Sequence, residues 1–195
     1  MAKKNSRNTR GRIVSAAWQL FYEQGYEHTT VEEIIEASQT SKGSFYHYFE
    51  GKDALLGSLA MIFDEKYDEL KGTMPPDMDA VEKLIHMNRE LFTLIDNSVS
   101  VELLARLFST QLTTKGEKHL LDRSRSYFKV VQQTVREGQE RGELRTDLSA
   151  NEITNAYAMF ERAMMYDWCL RSGEYALSRQ AGQMMPMFLE SFRGK

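Results

Sequence analysis

Residues 30–52 read TVEEIIEASQTSKGSFYHYFEGK, and this stretch predicts two short helices separated by a tight polar turn. Thr30 can cap the first helix, and Glu33, three residues later, can return a hydrogen bond to it; this is the capping-box pattern. Ser41 can cap the second helix, which we predict over 42–49. Two short helices joined by a tight polar turn are typical of the helix-turn-helix motif.

The second helix has the side chains that a DNA groove requires. Phe45 and Phe49 lie one turn apart and form its buried side, so the other residues are free to face outward. Lysine, glycine and serine at 42–44 can approach base edges, while hydroxyl, imidazole and ammonium groups can position the protein on phosphates. The predicted DNA contacts are Thr30, Ser41, Lys42, Gly43, Ser44, Tyr46, His47, Tyr48 and Lys52.

Eleven residues at fixed spacing carry a resemblance to a known family. They are Thr30, Val31, Ile34, Ser41, Gly43, Phe45, Tyr46, Tyr48, Phe49, Lys52 and Leu55. The stretch closely resembles the DNA-binding domain of the TetR family of bacterial transcriptional regulators. One departure lies in the turn, where the usual Ala-Gly-Val is replaced by Ser38-Gln39-Thr40. Gln39 must therefore adopt a backbone conformation that glycine ordinarily supplies.

Charge along the chain is uneven. The 195 residues carry a formal net charge of −3, yet residues 1–12 hold five basic side chains and no acidic one. Residues 1–52 carry seven basic and six acidic groups, a net +1, so residues 53–195 carry −4. The positive charge therefore lies beside the predicted DNA-reading helix, where Arg10 or Arg12 could add a non-specific contact.

Composition favours a cytoplasmic protein without a membrane partner. A single cysteine, Cys169, excludes a disulfide within the chain. No apolar run approaches the roughly 20 residues that a membrane span needs. The four histidines are scattered and no glycine-rich phosphate loop occurs, so we expect no enzyme activity, no metal and no cofactor.

Hydrophobic periodicity predicts an all-α fold of about nine helices. We expect a three-helix DNA-binding domain over residues 1–52 and a helical effector-binding and dimerisation domain over residues 53–195. The predicted helices of the second domain span about 53–72, 77–96, 99–113, 115–141, 150–172 and 175–192. The first of these would carry a mechanical signal from one domain to the other.

Methionine and aromatic residues in the second domain are candidates to line an effector pocket, although plain core packing explains each of them equally well. The pocket itself is implied mainly by the family resemblance. Because few charged residues lie near the apolar stripes, we expect an apolar or aromatic effector. The candidates are Met87, Phe92, Phe108, Tyr127, Phe128, Phe160, Met164 and Trp168.

The last two predicted helices are the most apolar part of the chain, which favours a four-helix interface between two copies. The alternative is that they close the core of one subunit. A palindromic operator also requires two reading heads one DNA turn apart. The residues predicted at the interface are Tyr157, Phe160, Leu177, Ala181, Met184, Met185 and Phe188.

These patterns favour a homodimeric repressor that a small effector releases from its operator. A second hypothesis keeps the helix-turn-helix in a ligand-independent regulator or an activator. A third is a ligand-binding or enzymatic helical protein with a vestigial helix-turn-helix, and the intact Gly43, Tyr46 and Lys52 argue against it.

Overall fold

The protein is described here from a computed structural model that covers residues 2–113, 115 and 118–194, with side chains from residue 9 onward. The described residues form α-helices joined by loops, which confirms the all-α class. The helices are α1 (Ala2–Gln24), α2 (Val31–Ala37), α3 (Lys42–Tyr48), α4 (Lys52–Leu56), α5 (Leu59–Thr73), α6 (Ala80–Ser98), α7 (Val101–Thr113), α8 (Ser126–Glu140), α9 (Ala150–Leu170) and α10 (Leu177–Glu190).

Helices α1 to α3 pack into a small N-terminal unit. Ile13, Ala17 and Phe21 recur at helical spacing on α1 and are buried, as are Ile34 of α2 and Phe45 of α3. The chain leaves α1 at Gly25, whose φ of +85° places it in the left-handed region that glycine tolerates. This geometry turns the chain back so that α2 and α3 lie against α1.

The capping box predicted at Thr30 and Glu33 is confirmed, and a second one occurs at α9. At the start of α2, the Thr30 hydroxyl accepts from the Glu33 amide, and the Glu33 carboxylate accepts from the Thr30 amide at 2.7 Å. Ser149 and Glu152 repeat the arrangement at the start of α9. These interactions satisfy backbone donors that a helix N-terminus otherwise leaves unpaired.

The single helix predicted over 53–72 is wrong: the chain forms α4 and α5 with a break at Gly57 and Ser58. The Ser58 hydroxyl accepts a hydrogen bond from Trp18 Nε1 at 2.8 Å, which ties the break to α1. A Cβ at position 57 would lie 3.2 Å from His119 Cδ2, so glycine permits a close approach there. The two domains are therefore connected by two helices with a break between them, and not by one continuous helix.

The single helix predicted over 115–141 is also wrong. A short 3₁₀-helix spans His119–Leu121, and α8 begins only at Ser126. The Asp122 carboxylate accepts from the Ser124 amide at 2.8 Å and from its hydroxyl at 2.9 Å. This local side-chain bonding competes with helix continuation and ends the pattern that periodicity alone predicted.

The C-terminal domain places α6 and α10 against each other, with α5, α8 and α9 around them. Residues at fourfold spacing along α10 are fully buried against this core: Leu177, Ala181, Met185 and Leu189. The Asp96 carboxylate, at the end of α6, accepts from the amides of Leu177 and Ser178, both at 2.9 Å. Asp96 therefore caps α10 from a neighbouring helix.

Replacing Asp96 with alanine should lower the free energy of unfolding by about 1 kcal/mol, because two amides at the start of α10 lose their acceptor. Urea unfolding followed by circular dichroism, at one fixed protein concentration, measures this change. Asp77→Ala provides the control, since Asp77 is exposed in the loop before α6. Equal midpoints for the two variants would show that Asp96 does not stabilise α10.

Candidate nucleic-acid interface and interior cavity

Helix α3 is anchored by its apolar side and presents its polar side outward. Phe45 is fully buried and Phe49, at the C-terminal cap, is 4% exposed. Lys42, Tyr46 and His47 are exposed. The sequence pattern of 42–49 therefore produces the predicted arrangement, in which one apolar turn fixes a short helix whose other faces are available.

The start of α3 is built from hydroxyl groups. The Ser41 hydroxyl accepts from the Ser44 amide at 3.1 Å, and the two hydroxyls lie 2.9 Å apart. Ser44 is half-buried and Ser41 is exposed. At Gly43, an added Cβ would meet only the Ser41 hydroxyl, at 3.9 Å. Among the described residues, none requires glycine at this position. The absence of a side chain would instead allow a DNA backbone to approach α3 closely.

The turn between α2 and α3 shows how the chain replaces the usual glycine. Gln39 has a φ of +51°, in the left-handed region that side chains rarely adopt. The Arg12 guanidinium donates to the Ser38 carbonyl at 2.6 and 3.0 Å and also donates to the Gln39 carbonyl. Arg12 therefore braces the strained turn through its Nε and Nη2 atoms.

The Arg10 side chain contacts one residue at the end of α3 and one on α5. Its guanidinium lies 5.5 Å from the centroid of the Phe49 ring and 3.1 Å from the Met61 sulfur. Lys3, Lys4 and Arg7, the other basic residues of the N-terminus, lie outside the residues whose side chains are described.

Lys52 was predicted to bind phosphate, and the structure places it elsewhere. Its ammonium donates to the carbonyls of Tyr26 at 2.7 Å and Thr29 at 2.9 Å, with Glu27 at 3.4 Å. The same ammonium lies 4.3 Å from the centroid of the Tyr26 ring. Lys52 therefore closes the α1–α2 loop, because three carbonyls occupy the donors that a phosphate would need.

The other predicted DNA contacts lie on α3 or at the start of α2. Tyr46 is 47% exposed, whereas Tyr48 is half-buried and packs edge-on against the His47 ring, 4.7 Å between centroids. Lys42 lies 3.7 Å from Glu32, with both side chains 71% exposed, and such an exposed pair contributes little to stability. Thr30 is exposed, but its hydroxyl donates to Glu33 at 2.8 Å.

A second site is an interior cavity between α5, α7, α8 and α9. It holds about 30 Å³, room for one or two water molecules. Most of the lining is apolar, and two of the eight predicted effector residues, Phe108 and Tyr127, belong to it. The lining residues are Phe63, Leu91, Leu104, Leu107, Phe108, Leu120, Arg125, Tyr127, Ala158, Glu161, Arg162 and Met165.

The other six predicted effector residues lie outside this lining. Met87 and Phe92 are fully buried on α6, and Phe128, Met164 and Trp168 are each less than 9% exposed in the core. Phe160 stacks on Phe188 instead, with 4.2 Å between centroids and 8° between planes. Apolar character alone did not distinguish core residues from cavity residues.

The cavity wall contains a buried carboxylate, Glu161, which is not among the effector residues predicted from the sequence. Glu161 is 1% exposed, and its oxygens accept from Tyr127 at 2.7 Å, Asn88 at 2.8 Å and Tyr67 at 3.0 Å. The Tyr157 hydroxyl lies 3.4 Å from that of Tyr67 and donates to the Leu84 carbonyl. We call Glu161, Asn88 and the three tyrosines the Glu161 cluster.

The Glu161 cluster joins four helices: Tyr67 lies on α5, Asn88 on α6, Tyr127 on α8, and Tyr157 and Glu161 on α9. Burial raises the pKa of the Glu161 carboxyl, while the hydrogen bonds it accepts act in the opposite direction. Burial and the nearby carboxylate also raise the pKa values of the three tyrosines, which therefore stay neutral.

Comparisons with known proteins agree with the geometry. Residues 13–59 match the family described as bacterial regulatory proteins, tetR family, and residues 61–191 match the C-terminal region of YsiA-like proteins. The chain belongs to the TetR family. It is a DNA-binding transcriptional regulator. The two matched regions meet between residues 59 and 61, close to the break between α4 and α5.

This TetR-family chain has relatives along most of its length. It is 28% identical over 151 residues to the transcriptional repressor DhaR of Mycobacterium sp. strain GP1, covering 75% of each chain. The fatty-acid regulator FadR of Thermus thermophilus, solved with lauroyl-CoA, has a TM-score of 0.74 at 22% identity, over 95% of this chain and 96% of that one. FadR of Bacillus subtilis, solved with stearoyl-CoA, has a TM-score of 0.70 at 18% identity, over 94% and 100%.

The predicted dimer residues of this TetR-family chain fall into two groups. Tyr157, Leu177, Ala181 and Met185 are fully buried in the core of the subunit, so they leave no surface for a partner and are removed from the predicted interface. Met184 is 38% exposed, and Phe160 and Phe188 are half-buried. Further apolar side chains that the prediction missed are exposed on the same helices: Met159, Tyr166, Leu170 and Met187.

Within residues 2–113 and 118–194, no helix is long and apolar enough to cross a membrane. The same residues contain no cluster of three His, Cys, Asp or Glu side chains arranged to hold a metal ion.

Replacing Arg12 with alanine should weaken binding to all DNA sequences alike and lower the free energy of unfolding by about 2 kcal/mol, because the Gln39 turn loses a charged donor. Gel shift on random duplexes and urea unfolding measure the two effects. Arg136→Ala, on the exposed side of α8, is the matched control. Unchanged DNA affinity in Arg12→Ala would show that the turn holds its position without the brace.

Proposed function

We propose that this protein is a homodimeric repressor that reads a palindromic operator with α3 and is released by a small, mainly apolar effector in the α5–α9 cavity. The observation that carries the proposal is the orientation of α3, which buries Phe45 and turns its polar side chains outward. Operator binding would place the protein at the nucleoid in the bacterial cytoplasm. The proposal requires no cofactor and assigns no reaction to the chain.

Contacts with DNA divide into reading and positioning contacts. In the proposal, Lys42, Gly43 and Ser44 face base edges, and Tyr46, His47 and Tyr48 bind phosphates together with the exposed Ser41. A phosphate at Thr30 would have to displace Glu33 from its hydroxyl. Lys52 supports this surface from behind by closing the α1–α2 loop.

The effector site is small in this conformation. A cavity of about 30 Å³ is far smaller than a pocket for a small molecule, so an effector must separate the helices that line it. The apolar walls favour a hydrocarbon or aromatic body. Two structural neighbours, at 22% and 18% identity, were solved with fatty acyl-CoA, which supports an apolar chain as the occupant of the second domain.

Two routes connect this cavity to the DNA-binding unit. Leu104, Leu107 and Phe108 place α7 in the cavity wall, and Arg106 on the same helix forms an ion pair with Glu27 in the α1–α2 loop. The Arg106 guanidinium also lies 5.6 Å from the centroid of the Tyr26 ring. An effector that displaces α7 therefore moves the loop that precedes α2.

The second route runs along α5. Phe63 lines the cavity, and α5 continues through the break at Gly57 and Ser58 into α4, with Ser58 bonded to Trp18 of α1. Since effector and operator would favour different positions of these helices, each weakens binding of the other.

The outer faces of α9 and α10 are proposed as the dimer interface. Met159, Tyr166 and Leu170 lie on one side of α9, and Met184 and Met187 are exposed on α10. The stacked rings of Phe160 and Phe188 connect the two helices between these groups. Exposed apolar residues on two adjacent helices are typical of a face that a second copy covers.

A ligand-independent regulator or an activator remains the alternative. Both alternatives use the same α3, so the DNA contacts do not separate them. Loss of operator binding when an effector is added distinguishes a released repressor from a ligand-independent regulator, and transcription from the operator's promoter distinguishes repression from activation.

Tyr46→Phe and Ser44→Ala should separate positioning from reading. Loss of the Tyr46 hydroxyl should reduce affinity for every sequence by about three- to tenfold, the cost of one hydrogen bond. Ser44→Ala should change the preferred base at one position of each half-site. Selection of duplexes by each variant, followed by gel shift at low salt, gives both results. Wild-type affinity and wild-type preference in both variants would remove the assignment.

Met187→Glu should raise the dimer dissociation constant at least about tenfold, because the interface would have to bury an unpaired carboxylate. Sedimentation equilibrium measures the change. Leu112→Glu is the matched control, since Leu112 on α7 is 73% exposed and Met187 is 71% exposed. If Met187→Glu stays dimeric at the wild-type concentration, the dimer forms through another face.

A further inference from the structure

The α5–α9 cavity contains two unlike surfaces. Phe63, Phe108 and Tyr127 give it aromatic walls, and leucines with Met165 give it aliphatic ones. The Glu161 carboxylate lies in the wall formed by α9 and is 1% exposed. A ligand that filled only the apolar part would leave this carboxylate buried further from water and without a cation.

No cation of the described residues neutralises Glu161 directly. Its hydrogen-bond donors are Tyr67, Tyr127 and Asn88, which are neutral groups. The Tyr157 hydroxyl also acts to lower the pKa of Glu161, so the surrounding hydroxyl and amide groups stabilise the carboxylate without supplying a positive charge. A buried carboxylate without a cation is costly, and burial accordingly raises its pKa.

Two arginines, Arg125 and Arg162, line the same cavity and carry positive charges close to Glu161. Arg125 is already paired: its Nε lies 3.0 Å from Asp64, and its Nη2 donates to the Ala60 carbonyl at 2.9 Å. Arg162 follows Glu161 on α9 and is half-buried, and its charge acts to lower the pKa of Tyr127. Since Glu161 and Arg162 are adjacent in a helix, they point in different directions from the α9 axis.

We infer that Glu161 is the polar recognition group of the cavity and that the effector is an amphiphile whose apolar body carries a protonated amine. This inference rests on the proposed function, because it assigns the ligand class of the same cavity. The ammonium supplies the missing positive charge and donates a charge-assisted hydrogen bond to Glu161, while the aromatic walls favour a cation over a neutral group.

The same contact explains how an effector acts on DNA binding. Glu161 holds Tyr67 of α5 and Tyr127 of α8 through its two oxygens. An ammonium that binds Glu161 competes with these hydroxyls and loosens α5 and α8 from α9. Movement of α5 is then transmitted through the break at Gly57 and Ser58 to α4 and the DNA-binding unit.

The test uses three probes of equal length: decylamine, decan-1-ol and decanoate, titrated into the full chain by calorimetry at pH 7. The amine is protonated at this pH, as lysine is. We expect decylamine to bind about tenfold or more tightly than decanol, an energy difference of about 1.4 kcal/mol. Glu161→Gln should abolish this preference, whereas Glu174→Gln, at an exposed loop position, should keep it.

A pH series on the wild-type protein tests the inference without relying on a variant. The amine preference should grow as pH rises from 4.5 to 8, because Glu161 loses its proton over a range above its usual pKa. The ionisable groups around it are Tyr67, Tyr127, Tyr157, Arg125 and Arg162. The tyrosines keep their protons over this range, because burial and the nearby carboxylate raise their pKa values. A pH effect that does not come from Glu161 persists in Glu161→Gln and can be subtracted.

The outcomes separate the inference from the proposed function. Equal affinities for amine and alcohol, tighter binding of decanoate, or an amine preference that survives Glu161→Gln would overturn the inference and leave an apolar effector in place. Failure of all three probes to bind would overturn the apolar effector itself, and with it the inference. A preference for decylamine that disappears in Glu161→Gln and grows with pH would establish it.

Discussion

The structure depends on holding a seven-residue helix in place. Isolated helices shorter than about 12 residues are unstable in water, so α3 exists only because its surroundings fix it. Burial of Phe45 and Phe49 contributes about 2 kcal/mol for each ring. The Arg12 brace fixes the turn before α3, and Lys52 fixes the loop before α2. The DNA-reading surface is therefore rigid because of contacts behind it.

The need to hold α3 in place gives the basic residues near it a structural role. From the sequence, Arg10, Arg12 and Lys52 are expected to contact DNA. In the structure, their side chains contact protein carbonyls, an aromatic ring and a sulfur atom. Their charges still raise the local potential, since screening over distances of about 10 Å is incomplete. In the proposed function, this potential favours the approach of DNA to α3.

Local features were predictable from sequence because their partners lie within a few residues. Both capping boxes and the exposed face of α3 follow from spacings of three and four. The breaks at Gly57–Ser58 and at 119–125 were not predictable from periodicity, since the apolar pattern continues across them. The Glu161 cluster also escaped prediction, because its partners lie 34 to 94 positions away along the chain.

Helix α10 shows a further limit of sequence patterns. It carries two apolar faces, one through Leu177, Ala181 and Met185 and another through Met184, Met187 and Phe188. Periodicity reveals both faces but does not say which one belongs to the subunit's own core. The contact with α6, fixed by the Asp96 cap, decides the matter, and it leaves the second face for another partner.

The Glu161 cluster gives the C-terminal domain a polar centre where a purely apolar core would pack without specific geometry. Apolar contacts tolerate small shifts, so helices joined only by them slide gradually. A buried carboxylate with three donors does not tolerate such shifts. Each of its hydrogen bonds is either made or replaced, and an unpaired group in this environment is costly. In the proposed switch, an effector that replaces these hydrogen bonds would move the helices around Glu161 from one discrete arrangement to another. A discrete change at α5, transmitted through the break at Gly57 and Ser58 to α4, is what such a switch requires.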